Sequence, residues 1–305
     1  AYLPRYAPWV AKFNRLANLR DTLPGVSTLS EKLLGLTAKR VLPQWDALPF
    51  CADEATKNLD GSEIVLFADS ANIHFEPNIL RDGLAVLEAV GRRVIIPKSI
   101  NGKRNLCCGR TFLSSGLIAE AKREAAQLLE SLSPYVERGV PIVGLEPSCI
   151  FTIKDELPAL LPGAPSKQLA EQIQLLESYL LAEQEAGRLD LPFKSSNGEK
   201  ILLHGHCHQK ALVGTKFAMD VLGAIPGSEP REISAGCCGM AGSFGSKKEH
   251  FRVSMDIGEQ SLFPAIRSEP DDVVIVSEGM SCRQQIHDGT GRKVKHLVEV
   301  LSDSL

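Results

Sequence analysis

The chain is 305 residues long, with a formal net charge of −3, 44% hydrophobic and 23% charged residues, so it can bury a sizeable core and offers no basic face for nucleic acid. No apolar run approaches the roughly 18 residues of a membrane span, and residues 1–6 lack the apolar core of a signal peptide. Eight cysteines are too few to staple a secreted scaffold of this length; their clustering suits thiolate ligation in a reducing compartment.

Residues 1–60 read as a proline-rich N-terminal arm, with short amphipathic pieces near 10–19 and 29–39. Such an arm has little core of its own and should lie across a larger body, anchored by Trp9, Phe13 and Trp45. Cys51 is expected to be a buried structural thiol. A first unit, 61–165, starts with a strand at 63–68. Pro77 then opens a helix carrying Leu80, Leu84 and Leu87 on one face, and a strand follows at 94–97. Leu117, Ala121, Ala125, Leu128 and Leu132 stripe a long helix before a third strand at 141–145. Residues 166–200 supply a connecting helix, N-capped by Ser166 and running to 185, and a turn-rich linker.

The second unit, 201–305, repeats the plan with strands at 201–204, 231–234 and 273–277 and helices at 209–222 and 247–267. The fold class predicted is α/β: two tandem duplicated β-α-β sub-domains with mostly parallel sheets, plus the arm.

The duplication is written most clearly in the cysteines. Cys107-Cys108-Gly109 returns as Cys237-Cys238-Gly239, and Cys149, after Glu146-Pro147-Ser148, returns as Cys282, after Glu278-Gly279-Met280-Ser281. The second unit has one more, Cys207, set in His204-Gly205-His206-Cys207-His208; its counterpart falls near Ser70. Each cysteine follows the C-terminal end of a strand, where ligands gather in parallel sheets. Cys207, Cys237, Cys238 and Cys282 therefore form a candidate set of four thiolates, enough for one 4Fe–4S cluster or one structural zinc.

Two adjacent cysteines can face one site only on a tight loop, which Gly239 permits, and the glycine-rich run behind it lets backbone N–H groups approach the sulfurs. His204, His206 and His208, opposite Cys207 in an extended segment, are candidates for supporting or alternative ligation. The first unit offers Cys107, Cys108 and Cys149, with Ser70, Asp69 or His74 as a fourth ligand for a second metal. Arg92, Arg93, Lys98, Lys103, Arg104 and Arg110 surround its cysteine pair, either to offset metal charge or as a solvated loop. Dinucleotide, phosphate-loop and nucleophile-elbow motifs are absent from the sequence.

These motifs resemble the cysteine-rich CCG domain pair of the heterodisulfide reductase B subunit. They also resemble the iron–sulfur subunits of glycolate oxidase, anaerobic glycerol-3-phosphate dehydrogenase and lactate-utilisation complexes. The runs His-Gly-His-Cys-His-Gln-Lys-Ala at 204–211 and Gly-Cys-Cys-Gly-Met-Ala-Gly-Ser-Phe-Gly at 236–245 are most similar to the C-terminal part of fused FAD-linked D-lactate and D-2-hydroxyacid dehydrogenases. The resemblance implies an iron–sulfur electron-transfer module that passes electrons from a flavin towards a quinone or other carrier. It implies partnership with an FAD-binding dehydrogenase domain or subunit and a ferredoxin-type cluster domain. It further implies a cytoplasmic location or a peripheral one on the inner membrane face.

The sequence departs from the family pattern. Glu146 and Gly279 stand where the final Cys-x-x-Cys would begin, and neither ferredoxin-type runs nor a flavin domain is present, so the chain is expected to be a fragment or one subunit of a larger flavoenzyme. Two other readings stand beside the first. One is a zinc-binding scaffold that docks a flavoprotein; the other is thiol–disulfide chemistry of the heterodisulfide reductase kind.

Overall fold

The run 64–67 has four consecutive buried apolar side chains, so both of its faces need cover, as in a parallel sheet flanked by helices. In the computed structural model, which describes residues 2–55, 61–100, 102, 104–196 and 198–305, this run lies in β1 (Ser62–Phe67). With β2 (Arg92–Ile95), β3 (Ile142–Gly144) and β4 (Ile173–Leu175) it forms an all-parallel sheet of order β2-β1-β3-β4. The second sheet has the same plan. It comprises β5 (Lys200–Leu203), β6 (Glu229–Glu232), β7 (Val274–Val276) and β8 (Val294–Lys295), ordered β6-β5-β7-β8 and again all parallel. In each sheet the chain moves one way from the first strand to the second, then crosses back to the third. The crevice at this reversal lies between β1 and β3, and between β5 and β7.

Three helices make the arm: α1 (Leu3–Val10), α2 (Asn14–Thr22) and α3 (Val26–Leu34). In the first repeat α4 (Ser70–His74) and α5 (Pro77–Ala89) connect β1 to β2. Then α6 (Arg110–Leu113) and α7 (Ile118–Glu137) lead to β3. After β3 come α8 (Pro147–Phe151), a π-helical turn (Thr152–Glu156), α9 (Leu157–Leu160), α10 (Ala164–Gln172), β4 and α11 (Leu176–Glu185). The second repeat carries α12 (Cys207–Leu212), α13 (Lys216–Gly223), α14 (Phe251–Glu259), α15 (Leu262–Arg267), α16 (Met280–Thr290) and α17 (Leu297–Asp303).

Each sheet has its own core on one side. Leu128 and Leu132 of α7 pack with Ile142, Ile150 and Leu169 in the first repeat, and Phe263, Ile266 and Ile286 pack with Ile275 in the second. On the other side the two repeats share one core. Leu80, Leu84 and Leu87 of α5 cluster with Val298 and Leu301 of α17, and Leu180 of α11 clusters with Val221 and Leu222 of α13. Helix α17 lies on α5 and α11 lies on α13, so the last helix of each repeat covers the other repeat.

Several local expectations are corrected. The segment 166–185 is not one helix: Ile173–Leu175 extend as β4 and complete the first sheet, which therefore has four strands. Residues 209–222 break at Gly214, whose φ is +72°. The stretch 247–267 breaks before Pro264, which has no N–H to continue an earlier helix. In the arm, Trp45 does anchor, packing against Phe75 with ring centroids 4.6 Å apart. Trp9 and Phe13 do not: they are 69% and 62% exposed. Cys51 is exposed rather than buried. Among the described residues no helix is long and apolar enough to cross a membrane.

Candidate metal centre

Three loops at the C-terminal ends of β5, β6 and β7 bring the four cysteines of the second repeat together. After β5, His204 extends the ladder by donating its N–H to Val276 O (2.8 Å). His206 then caps α12: its Nδ1 accepts from His208 N (3.3 Å), while Gln209 Oε1 accepts from His206 N (3.3 Å). Cys207 is thus the first residue of a helix, and the extended alternation expected over 204–208 ends at His206. Cys282 lies in the first turn of α16. Gly279 caps that helix because a Cβ there would stand 2.6 Å from the His206 ring, which explains why no side chain occupies this position of the family pattern.

The adjacent pair turns on Gly239. Its φ is +95°, and an added Cβ would lie 2.2 Å from Ser254 O, so the position demands glycine twice over. The Gly239 N–H points at Cys237 Sγ (3.3 Å), and the N–H groups of His208 and Met240 serve Cys207 and Cys238 in the same way. Cys238 and Cys282 sulfurs are 3.3 Å apart, and Cys237 hydrogen-bonds with both Cys207 and Cys238. Cys238 and Cys282 are buried, whereas Cys207 and Cys237 form the exposed edge.

Hydrogen bonds from Cys207 and Cys238 hold Cys237 far below the usual thiol range. Cys282 is also pulled well down, first by Cys238, then by His204 and the charge of His206. Cys207 and Cys238 are pushed well up as the matching donors. Two thiolates alternate with two thiols, and a metal would displace the remaining protons. His204 is fully buried, and neither of its ring nitrogens has a well-formed partner apart from the neighbouring Cys282 sulfur. Four convergent sulfurs, an orphaned buried imidazole and inward-facing N–H groups fit a thiolate-bound metal or cluster. His206 supports the loops from between them. His208 turns away from the thiols towards Phe151 and, with Asp155 and Glu156, forms a separate group whose ligand atoms lie within 4.8 Å of one another.

The first repeat makes the same frame with a different filling. Ser70 starts α4 where Cys207 starts α12, behind an Asp69 cap that accepts from the N–H groups of Ala71 and Asn72. Cys108 and Cys149 sulfurs are 3.0 Å apart, and the Gly109 N–H points at Cys107 Sγ (3.3 Å). His74 closes α4 and packs on Trp45, with burial lowering it to about 4. Burial, then Glu146, pushes Asp69 up to about 7. Cys108 draws Cys149 down, but burial and the charges of Asp69, Glu146 and Cys107 outweigh it and leave Cys149 at about 11. Cys107 and Cys108 are likewise raised, so this site keeps its protons. Of the basic residues around it, Arg92, Arg93, Lys98, Arg104 and Arg110 each pair with a carboxylate, while Lys103 lies outside the described residues.

A polar seam joins the two sites. Glu146 Oε2 accepts from Met280 N (2.9 Å), tying the first repeat to the helix of Cys282. Gln209 Nε2 donates to Glu278 (2.6 Å) and to Glu177 (3.2 Å), and burial raises both carboxyl groups. Glu146 and Glu278 share the same offset from their cysteines to within one residue, the signal from which this seam could have been anticipated. Glu177 and Gln209 gave none.

The CCG cysteine-rich domain matches over residues 201–287, the stretch that holds all four converging cysteines. The chain is a CCG-domain protein. Among its CCG-domain relatives is one of the subunits of the anaerobic glycerol-3-phosphate dehydrogenase of Escherichia coli K12, 27% identical over 96% of this chain and 73% of that protein. The D-2-hydroxyglutarate dehydrogenase of Pantoea ananatis is 25% identical over 96% of this chain but only 27% of its own length. Lactate utilization protein A of Bacillus subtilis is 26% identical over 79% of this chain and 99% of that protein. The CCG chain therefore corresponds to most of some relatives and to about a quarter of another.

Proposed function

We propose that the second repeat binds one iron–sulfur cluster of the 4Fe–4S type through Cys207, Cys237, Cys238 and Cys282. The chain would then act as an electron-transfer module of an FAD-linked oxidoreductase that oxidises a small 2-hydroxy acid of the D-lactate or glycolate kind. The observation that carries this reading is the convergence of four sulfurs from three strand-end loops beside the orphaned ring of His204. When bound, such a cluster supplies one-electron chemistry at a potential set by its surroundings. The chain's own contribution is to fix the thiolates, aim N–H groups at the sulfurs and bury Cys238 and Cys282 while leaving Cys207 and Cys237 at the surface. The exposed edge is where electrons would enter or leave, between an FAD-binding domain or subunit with its ferredoxin-type clusters and a quinone or other carrier.

In the same reading, 1–60 is the arm, 61–165 and 201–305 are the repeats, and 166–200 connects them. The first repeat, with Cys107, Cys108 and Cys149, is a lapsed or weaker metal site. The protein works in the cytoplasm or on the inner face of the membrane.

Anaerobic iron, sulfide and zinc analysis of the reconstituted chain tests the proposal. About four iron and four sulfide with a broad band near 400 nm are expected. Stoichiometric zinc without sulfide or colour would overturn it in favour of a scaffold. Turnover of a disulfide substrate would assign thiol–disulfide chemistry instead.

A further inference from the structure

Arg40 belongs to the arm, outside either repeat, yet none of its side chain is exposed. A buried guanidinium is costly unless its donors are all partnered. Here Nη1 donates to Asp288 Oδ2 (2.6 Å) and Nη2 to Gln285 Oε1 (2.7 Å), with Met255 Sδ at 3.5 Å, while Nε has no partner. The backbone on either side is tied to the end of the cysteine loop: Thr37 N donates to Ser246 O (2.9 Å) and Lys248 N to Gly35 O (2.8 Å).

From Arg40 the contacts run directly to the cysteine pair. Gln285 Nε2 donates to Ser254 O (2.8 Å), and this same carbonyl is the atom against which Gly239 packs. Gln285 Nε2 itself lies 3.2 Å from the point where a Gly239 Cβ would stand. Arg40 is also close enough to Cys238 for their charges to interact. If the arm needed only an anchor, an apolar side chain would serve at less cost.

We propose that Arg40 is a positioning residue of the second metal site: the arm inserts it behind Cys237-Cys238-Gly239, where Gln285 and Ser254 transmit its hold to the loop and its charge stabilises the reduced state of the centre. The redox part rests on the iron–sulfur reading; the positioning part does not. A positive charge beside a cluster raises its potential, and a negative one lowers it.

Three variants of the full chain, Arg40→Gln, Arg40→Lys and Asp288→Asn, test this through two readouts. The midpoint potential of the anaerobically reconstituted protein should become more negative in R40Q, less negative in D288N and stay near the parent in R40K. In the metal-free protein, Cys238 should be alkylated by iodoacetamide at least about tenfold faster in R40Q and R40K, because lysine cannot span both Asp288 and Gln285. Equal alkylation rates in all three proteins would overturn the positioning role. Potential shifts of one sign in R40Q and D288N would overturn the charge role. If the parent takes up no iron, the iron–sulfur reading fails alone and alkylation still decides whether Arg40 positions the loop. If R40Q does not fold, R40K and D288N carry the two comparisons.

Discussion

In the second repeat the helix after the first strand begins with Cys207 behind a His206 cap; in the first it begins with Ser70 behind an Asp69 cap. The exchange of one ligand is thus accompanied by an exchange of charge around the sulfurs that remain. Histidines at 204 and 206 favour thiolates at Cys237 and Cys282, whereas Asp69, Glu124 and Glu146 oppose them at Cys107 and Cys149. Equal backbone frames therefore do not make equal sites. Thiol chemistry is decided by the residues beside the sulfurs as much as by the count of cysteines.

Exchanging the differing residues should move the two repeats towards each other. The largest effect is expected from Cys238→Ser, which removes a buried ligand and should abolish metal uptake, while Cys108→Ser leaves uptake by the second repeat unchanged; metal analysis of the two variants checks this. In the other direction, Ser70→Cys with Asp69→Asn completes a fourth thiol and removes an opposing charge. It should raise bound zinc by about one equivalent per chain when titrated into the metal-free protein. A result of no added zinc would mean that the first frame is closed by more than its ligands.

The paired glycines sharpen the comparison at smaller energies. Both need positive φ, but an added Cβ at Gly109 meets Ala121 O at 3.2 Å, whereas at Gly239 it meets Ser254 O at 2.2 Å. Gly109→Ala should cost about 1–2 kcal/mol and Gly239→Ala about 3 kcal/mol or more, measured by urea unfolding.

The weakest effect concerns His296, where the second repeat bonds the first: its Nε2 meets Leu145 O at 2.9 Å, its Nδ1 accepts from Val298 N, and burial lowers it to about 3. In the unfolded chain this ring gains its proton near pH 6.5, so the unfolded state binds the extra proton between about 6.5 and 3. Stability from this residue is present above that window and lost as pH falls through it, by about 1.4 kcal/mol per pH unit. The variant His296→Gln should show a shallower decline than the parent in unfolding midpoints taken from pH 7 to 4.

The duplication and the strand-end placement of the cysteines were legible because apolar runs and Cys-Cys-Gly tripeptides are local signals. The parallel sheets followed from the alternation of strands with helices. What local pattern could not give was β4: Ile173–Leu175 sit inside a stretch with helical periodicity and extend only because β3 offers a free edge beside them. Trp9 and Phe13 misled for a related reason, since aromatic residues at helical spacing signal a face that needs cover and do not say whether this chain covers it. At the site, the ligands were legible but the orientation of the histidines was not. His206 became a cap and His208 left the thiols once a helix began at Cys207, a start that β5 sets by ending where it does.

The reciprocal packing of α17 on α5 and α11 on α13 has the form of a two-fold dimer written into one chain. A single copy standing alone would leave that layer of leucines bare, and a second copy turned about the axis is what covers it. In a dimer of identical subunits any substitution strikes both sites at once, so a serine at the helix start would disable the pair together. Joining the copies end to end removes that constraint. One half can let its ligand lapse and remain as the wall that the other half folds against.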